Sequence, residues 1–189
     1  MLLSDVDIRK LIEEQGFIED YTDLDIQLQQ CGFDLTLDYI EKPFYGIDKY
    51  ATVIDFSNRL RAPTPMQQIY TDELDISYPE EAASDSRRGF NLPPGNYVFH
   101  TKEKVRFPAN IGAILRCRSS LIRAGIVFAS SCIDPGYYGH LIASLHIPTP
   151  GLKITQGARF CQMLSWYLSS PAERLYDGIY REKDNGKKA

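Results

Sequence analysis

Two short stretches of the chain hold residue types whose spacing could do chemistry: CRSSLIRAGI at 117–126 and CIDPGYYGH at 132–140. In the first, Arg118, Ser119, Ser120 and Arg123, with Arg116 just upstream, set guanidinium forks and hydroxyls at the end of an apolar run. Such a group can donate several charge-assisted hydrogen bonds to phosphate oxygens; taken alone, it is also the composition of a solvated turn. In the second, Asp134-Pro135-Gly136 is a turn sequence in which Pro fixes φ and Gly supplies the positive φ that a type II turn requires. Asp134 lies between Ile133 and the pair Tyr137-Tyr138. Partial desolvation there would make its carboxylate a useful general base, and one tyrosine could stack on a sugar or base. The alternative is a turn with no chemistry.

The histidines and cysteines offer less. None of His100, His140 and His146 is followed by Glu two residues on, and no PCxxC occurs, so the zinc-dependent deaminase pattern is missing. His140 and His146 flank an apolar run beside the second stretch, which leaves a role near a site open next to the ordinary reading of surface or satisfied core residues. Cys31, Cys117, Cys132 and Cys161 form no CxxC pair and have no His at zinc-ligand spacing, and they read as reduced, buried thiols.

A formal net charge of −4 argues against a broad nucleic-acid footprint, which rests on a basic face that displaces counterions from many phosphates. A small anionic ligand stays possible where arginines cluster. No run approaches the roughly 18 apolar residues of a membrane span, and the opening MLLSDVD is neither a signal nor a transit peptide. A cytoplasmic protein without membrane or nucleic-acid partners is the expectation.

A chain of 189 residues is the size of one domain with one core. Ser4-Asp5-Val6-Asp7 is a capping-box-like start with Asp in place of Glu, and Ile8, Leu11 and Ile12 follow at helical spacing, which predicts a short helix ending near Gly16. From Ile26 onward the segments FDLTLDYI, YATVIDF, NYVFHT, EKVRF, IGAILRC, AGIVFAS, HLIASLHI, GLKIT and FCQMLSWYL are short, β-branched or aromatic, and bounded by turn residues. They predict an all-β sandwich or barrel of many short strands. Residues 57–69 and 79–91 are too polar for the core and read as loops. Residues 1–175 form the expected single domain, and the tail at 176–189, lacking a hydrophobic face, is expected to be mobile.

GFDLTL at 32–37, RSSLIRAGI at 118–126, IDPGYYG at 133–139 and GARFCQ at 157–162 occur in the order seen in the dUTPase and dCTP deaminase superfamily, which the chain resembles over nearly its whole length. The SDVDIRKLIEE start, the IQLQQCGFDL run and PPGNYVFHTKEKVRFPANIGAILRCRSS are more similar to the dCTP deaminase branch than to ordinary dUTPases. The resemblance implies a distorted jelly roll assembled as a homotrimer, with sites between subunits and Mg²⁺ held on the triphosphate. It further implies that Arg118, Ser119 and Ser120 grip the triphosphate, that Gln162 reaches a phosphate, and that Asp34 supports the metal or the site through water. Asp134 would position or activate the attacking water, and Tyr137 would pack on the deoxyribose.

Where dCTP deaminases carry a catalytic Glu, ten residues beyond Asp134, this chain has Ser144. Deamination needs a group that takes a proton from water and delivers one to the leaving amine, which a serine without an adjacent base does poorly. Cleavage at the α-phosphorus asks only for an oriented water and for cations that absorb charge on the departing diphosphate. Gly136-Tyr137 and Gln162-Met163 also lean towards the dUTPase pattern. A dUTP diphosphatase is therefore expected, with a dCTP deaminase, a bifunctional enzyme or an inactive nucleotide-binding relative as alternatives. The Gly-rich arm that closes dUTPase sites is not recognisable in YDGIYREKDNGKKA, though Tyr180, Arg181 or Lys183 could serve as a lid.

Overall fold

Ser4 caps helix α1 (Asp5–Gln15) as its residue type suggests: its side chain accepts from the Asp7 N–H while the Asp7 carboxylate accepts from the Ser4 N–H, and Gly16 ends the helix in the left-handed conformation. Ile8, Leu11 and Ile12 are buried. The structure, a computed structural model, describes residues 1–43, 66–76 and 85–182. Beyond α1 the first part of the chain forms β1 (Ile18–Glu19), α2 (Leu24–Gln27), β2 (Leu28–Gln29) and β3 (Gly32–Pro43). The middle forms β4 (Met66–Ile69), β5 (Asp72–Ile76), β6 (Asp85–Leu92), β7 (Gly95–Arg106) and β8 (Ile111–Cys117). After them come α3 (Ser119–Arg123), β9 (Val127–Ala129), β10 (Cys132–Ile133), β11 (Tyr138–Ile147), β12 (Leu152–Thr155) and β13 (Arg159–Tyr167).

The main sheet runs β10-β8-β13-β3-β7-β11-β9, with β1 on β7 and both β2 and β4 on β3; β12-β6-β5 form a second, three-stranded sheet. Every pairing is antiparallel, and β3 hands over from β13 at Phe33–Thr36 to β7 at Leu37–Glu41, which curls the sheet around the core. The all-β expectation with one N-terminal helix is borne out. Alternation decides which residues enter the core: along β11, Leu141, Ala143, Leu145 and Ile147 are buried while Ile142, Ser144 and His146 are exposed.

Several local expectations change. NYVFHT and EKVRF are one continuous strand, β7, which runs on through irregularities in its pairing with β11 and β3 near Thr101. Part of the polar stretch 57–69 is strand β4, paired with Ile40–Pro43, and part of 79–91 is strand β6, paired with β12. The polarity misled because β6 has only one core-facing side, on which Phe90 and Leu92 are buried. YATVIDF lies outside the described residues, as do 57–65 and 79–84.

A polar network sits inside this core. The Glu103 carboxyl on β7 is 0% exposed and accepts from Gln27 Nε2 at 2.7 Å, from the Thr36 N–H at 2.9 Å and from Thr36 Oγ1 at 2.6 Å. Gln27 Nε2 also donates to the Asp34 carbonyl at 2.9 Å, so the network ties α2, β3 and β7 together directly beneath Asp34. Truncation would leave three buried donors unpaired, and Glu103→Ala is expected to cost roughly 3 kcal/mol in denaturant unfolding. A loss under roughly 1 kcal/mol would show that the network contributes little.

Candidate active site

The structure gathers the singled-out residues into two groups. The first surrounds Asp34, whose side chain lies on β3 with only 3% of the residue exposed. Arg159 Nη1 donates to its Oδ2 at 3.2 Å, Arg118 Nε stands 3.4 Å from the same oxygen, and Gln162 Nε2 donates to Oδ1 at 3.3 Å. Strand register explains the meeting: Gln162 on β13 is opposite both Asp34 on β3 and Arg116 on β8, and Arg118 follows the last residue of β8. Burial pushes the Asp34 carboxyl above its ordinary value, and the two guanidinium groups and the Gln162 amide partly offset this. Ser119 and Ser120 open α3 and are exposed, as is Arg123 in its last turn. Arg118 and Arg159 thus flank a buried carboxylate, and guanidinium forks of this kind are able to receive phosphate oxygens. Arg159, quoted within GARFCQ but given no role from the sequence, belongs to this group.

The second group lines a cavity of about 440 Å³ that includes Ile133, Asp134, Tyr137, His140 and Ile142. The turn is as expected: the Tyr137 N–H donates to the Asp134 carbonyl at 3.2 Å, and Gly136 has φ +84°. Asp134 itself is exposed, so the desolvation anticipated from its apolar neighbours is not supplied within the chain. Tyr137 is different: burial pushes its phenol up to about 12, its hydroxyl donates to the His140 carbonyl, and its ring meets Tyr176 edge-on at 5.4 Å. It therefore presents an apolar surface and not an acid. Ser144 is exposed on β11, opposite Val98 and Ala129, and does not line the cavity.

Tyr39, His100 and Glu182 are among the cavity residues that carried no site signal in the sequence. His100 stacks on Tyr39 with centroids 4.0 Å apart and donates from Nε2 to Glu41 at 2.8 Å. Burial holds its imidazole below the ordinary value, with Glu41 opposing. Glu182 is the third. The stretch from Tyr176, expected to be mobile, runs against the cavity wall as far as Glu182: the Tyr176 N–H donates to the Pro135 carbonyl at 2.8 Å and the Glu182 N–H to the Tyr138 carbonyl at 2.9 Å. Lys104 Nζ donates to Glu182 Oε2 at 2.7 Å. A Cβ on Gly136 would stand 2.6 Å from Leu175 Cβ, so this glycine serves both the turn and the passage of the tail. Lys183 lies outside the described residues.

Burial pushes the Glu182 carboxyl up, but Lys104 and the His140 N–H outweigh it and hold the group below its ordinary value. A carboxylate with a depressed folded-state value adds stability above its unfolded value and loses it as pH falls through the folded one. Hydrogen-exchange protection of the Glu182 amide is thus expected to fall with acidification below the ordinary Glu range. Glu182→Gln should lower protection severalfold at neutral pH and make it insensitive to acid, within the limit of about 1 kcal/mol for a partly exposed pair. Equal protection in both proteins at neutral pH would show that the Lys104–Glu182 pair does not hold this segment in place.

The two groups lie apart on one chain. Ile133, beside Asp134, is opposite Ala113 on β8, whereas Arg118 follows Cys117 at the far end of that strand; Ala113 and Cys117 are four positions apart along it, or about 13 Å.

Comparison with known proteins places this arrangement. A protein of Archaeoglobus fulgidus named "Probable deoxyuridine 5'-triphosphate nucleotidohydrolase" is 34% identical over 181 residues, covering 95% of each chain. A protein of Natronomonas pharaonis named "dCTP deaminase" is 32% identical over 195 residues, covering 98% of this chain and 90% of that one. The crystal structure of 2'-deoxycytidine 5'-triphosphate deaminase from Agrobacterium tumefaciens superposes with a TM-score of 0.58 at 20% identity, over 87% of this chain and 46% of that chain, and shows the shared fold. The family model described as dCTP deaminase-like matches residues 2–167, which hold all the described strands and both groups except the tail residues Tyr176, Tyr180 and Glu182, and the chain belongs to that family.

Proposed function

We propose that this protein is a dUTP diphosphatase, hydrolysing dUTP to dUMP and diphosphate. The observation that carries the reading is the pairing of an arginine-rich anion site around Asp34 with a hydroxyl, Ser144, at the position of the deaminase carboxylate. Arg118, Ser119, Ser120, Arg123 and Gln162 take the triphosphate; Ile133 and Tyr137 pack on the nucleoside, Tyr137 against the deoxyribose. Asp134 orients a water and accepts its proton as the oxygen attacks the α-phosphorus and the bond to the departing diphosphate breaks. Relatives named for dUTP hydrolysis and for dCTP deamination both occur, and Ser144 favours the first.

Among the described residues no three His, Cys, Asp or Glu side chains are grouped to hold a metal, and both Asp34 oxygens already face arginine or amide donors. Asp34 would therefore meet a hydrated Mg²⁺ through water and not as a direct ligand. Bound in that way, the ion supplies charge neutralisation on the phosphates. The gap between the two groups and the exposure of Asp134 support a homotrimer in which one copy's anion site faces another's Asp134 turn. No helix among the described residues is long and apolar enough to cross a membrane.

The test is incubation with Mg²⁺ and either dUTP or dCTP, scoring diphosphate and ammonium separately. Diphosphate and dUMP from dUTP support the reading. Ammonium from dCTP would instead establish a deaminase, and tight nucleotide binding without either product would establish an inactive relative. Ser144→Glu should not add ammonium release if the cytosine site is absent.

A further inference from the structure

The geometry points to a redox modification site: a reversible disulfide between Cys117 and Cys161, across β8 and β13, that loosens the anion site around Asp34. The two cysteines stand directly opposite each other in the antiparallel pairing, and both are free thiols. Antiparallel strands alternate between pairs that exchange backbone hydrogen bonds and pairs that do not, and side chains stand closest in the second kind. The Arg118 N–H donates to the Phe160 carbonyl at 3.2 Å, which makes those two residues a bonded pair. Cys117 and Cys161, one position further along each strand, therefore form an unbonded pair with both side chains on one face. The usual Cα separation of such pairs, about 4.5 Å, falls at the short edge of the range a disulfide spans. Of the other cysteines, Cys132 is opposite Ile114, and Cys31 is exposed.

The two thiols differ in access. Cys161 is 0% exposed and burial pushes its thiol well above the ordinary value, whereas Cys117 is half-buried and is the one an oxidant reaches. With a low-molecular-weight disulfide such as oxidised glutathione, the Cys117 thiolate attacks one sulfur; a bond to glutathione forms, the glutathione disulfide breaks, and one glutathione thiolate leaves and is protonated. Cys161 then attacks Cys117 Sγ as its proton passes to the second glutathione, which leaves as a thiol. Two protein thiols lose two electrons, and one glutathione disulfide is reduced to two thiols.

Arg118 follows Cys117 and Gln162 follows Cys161, and both side chains meet Asp34. A bond closed at the short edge of its range shifts these strand ends, and anion contacts are sensitive to displacements well below 1 Å. The crosslink stands independently of the nucleotide reading; its effect on the anion rests on that reading.

The full chain is treated with oxidised glutathione, digested without reductant and mapped by mass spectrometry, and the affinity of oxidised and reduced protein for inorganic triphosphate is measured by calorimetry. A peptide joining Cys117 to Cys161, lost on adding dithiothreitol and absent in Cys117→Ser, is expected, with triphosphate bound about tenfold more weakly when oxidised. Glutathione adducts on single cysteines with no such peptide would overturn the site. The crosslink with unchanged affinity would overturn the switch. Absence of triphosphate binding in the reduced protein would overturn both the switch and the nucleotide reading while leaving the modification site standing. If Cys117→Ser does not fold, Cys161→Ala provides the same control.

Discussion

Asp134→Asn should lower kcat for dUTP by about 10³-fold while leaving KM within severalfold, because asparagine can hold a water but cannot take its proton. The substitution is a clean probe of chemistry. Asp134 is exposed, and the turn depends on its backbone carbonyl, which accepts from the Tyr137 N–H at 3.2 Å; asparagine suits the same turn position. Unfolding midpoints of the two proteins should therefore agree, so that a loss of rate cannot be attributed to a lost fold. Steady-state diphosphate release is the measurement. A kcat within about threefold of the parent would remove Asp134 from the proton-transfer role and leave the turn as structure.

Arg118→Ala should lower kcat/KM for dUTP by about 10² to 10³-fold, mostly through weaker triphosphate binding. Arg118→Lys should recover little of it, since a point charge cannot replace a planar fork at a multidentate anion site. The loss should reach beyond the substrate. Arg118 Nε lies 3.4 Å from Asp34 Oδ2 and its Nη1 donates to the Arg159 carbonyl at 3.2 Å, so its removal leaves a buried carboxylate with one guanidinium and one amide. Asp34 is already raised by burial against the pull of Arg118 and Arg159, and the variant should raise it further. A carboxylate raised in the folded state costs stability while ionised and recovers it on protonation, so the stability deficit of Arg118→Ala should be largest near neutral pH and shrink as pH falls. Urea unfolding at two pH values measures it. A deficit that stayed constant or grew in acid would mean that Asp34 and Arg118 are not electrostatically linked.

Legibility from sequence followed the range of the interactions. The Ser4 and Asp7 capping box, the helix stop at Gly16 and the Asp134-Pro135-Gly136 turn were all readable, because each is completed within a few residues by fixed backbone preferences. Strand β6 was missed because its charged and polar start, Asp85-Ser86-Arg87-Arg88, reads as loop while the register that buries Phe90 and Leu92 depends on β12, some sixty residues on. Glu103, in the run TKEKVR, looks like a solvated strand residue; its burial is tolerable only because Gln27 and Thr36 arrive from 76 and 67 residues away. For the same reason His100 showed no sign of its stacking on Tyr39 or of its bond to Glu41.

By itself, then, the order of residues determined the class of fold, the family and the identity of the chemical groups: arginines and hydroxyls at 116–123, a carboxylate turn at 134, and a serine at 144. These are local properties of side chains and turns. Only the tertiary structure decided which groups meet. It set Arg118, Arg159 and Gln162 around Asp34, separated them from Asp134, left Ser144 outside the cavity, laid the tail along the cavity wall and placed Cys117 opposite Cys161. Those juxtapositions depend on the register between strands distant in sequence, where a shift of one residue would turn every side chain to the other face.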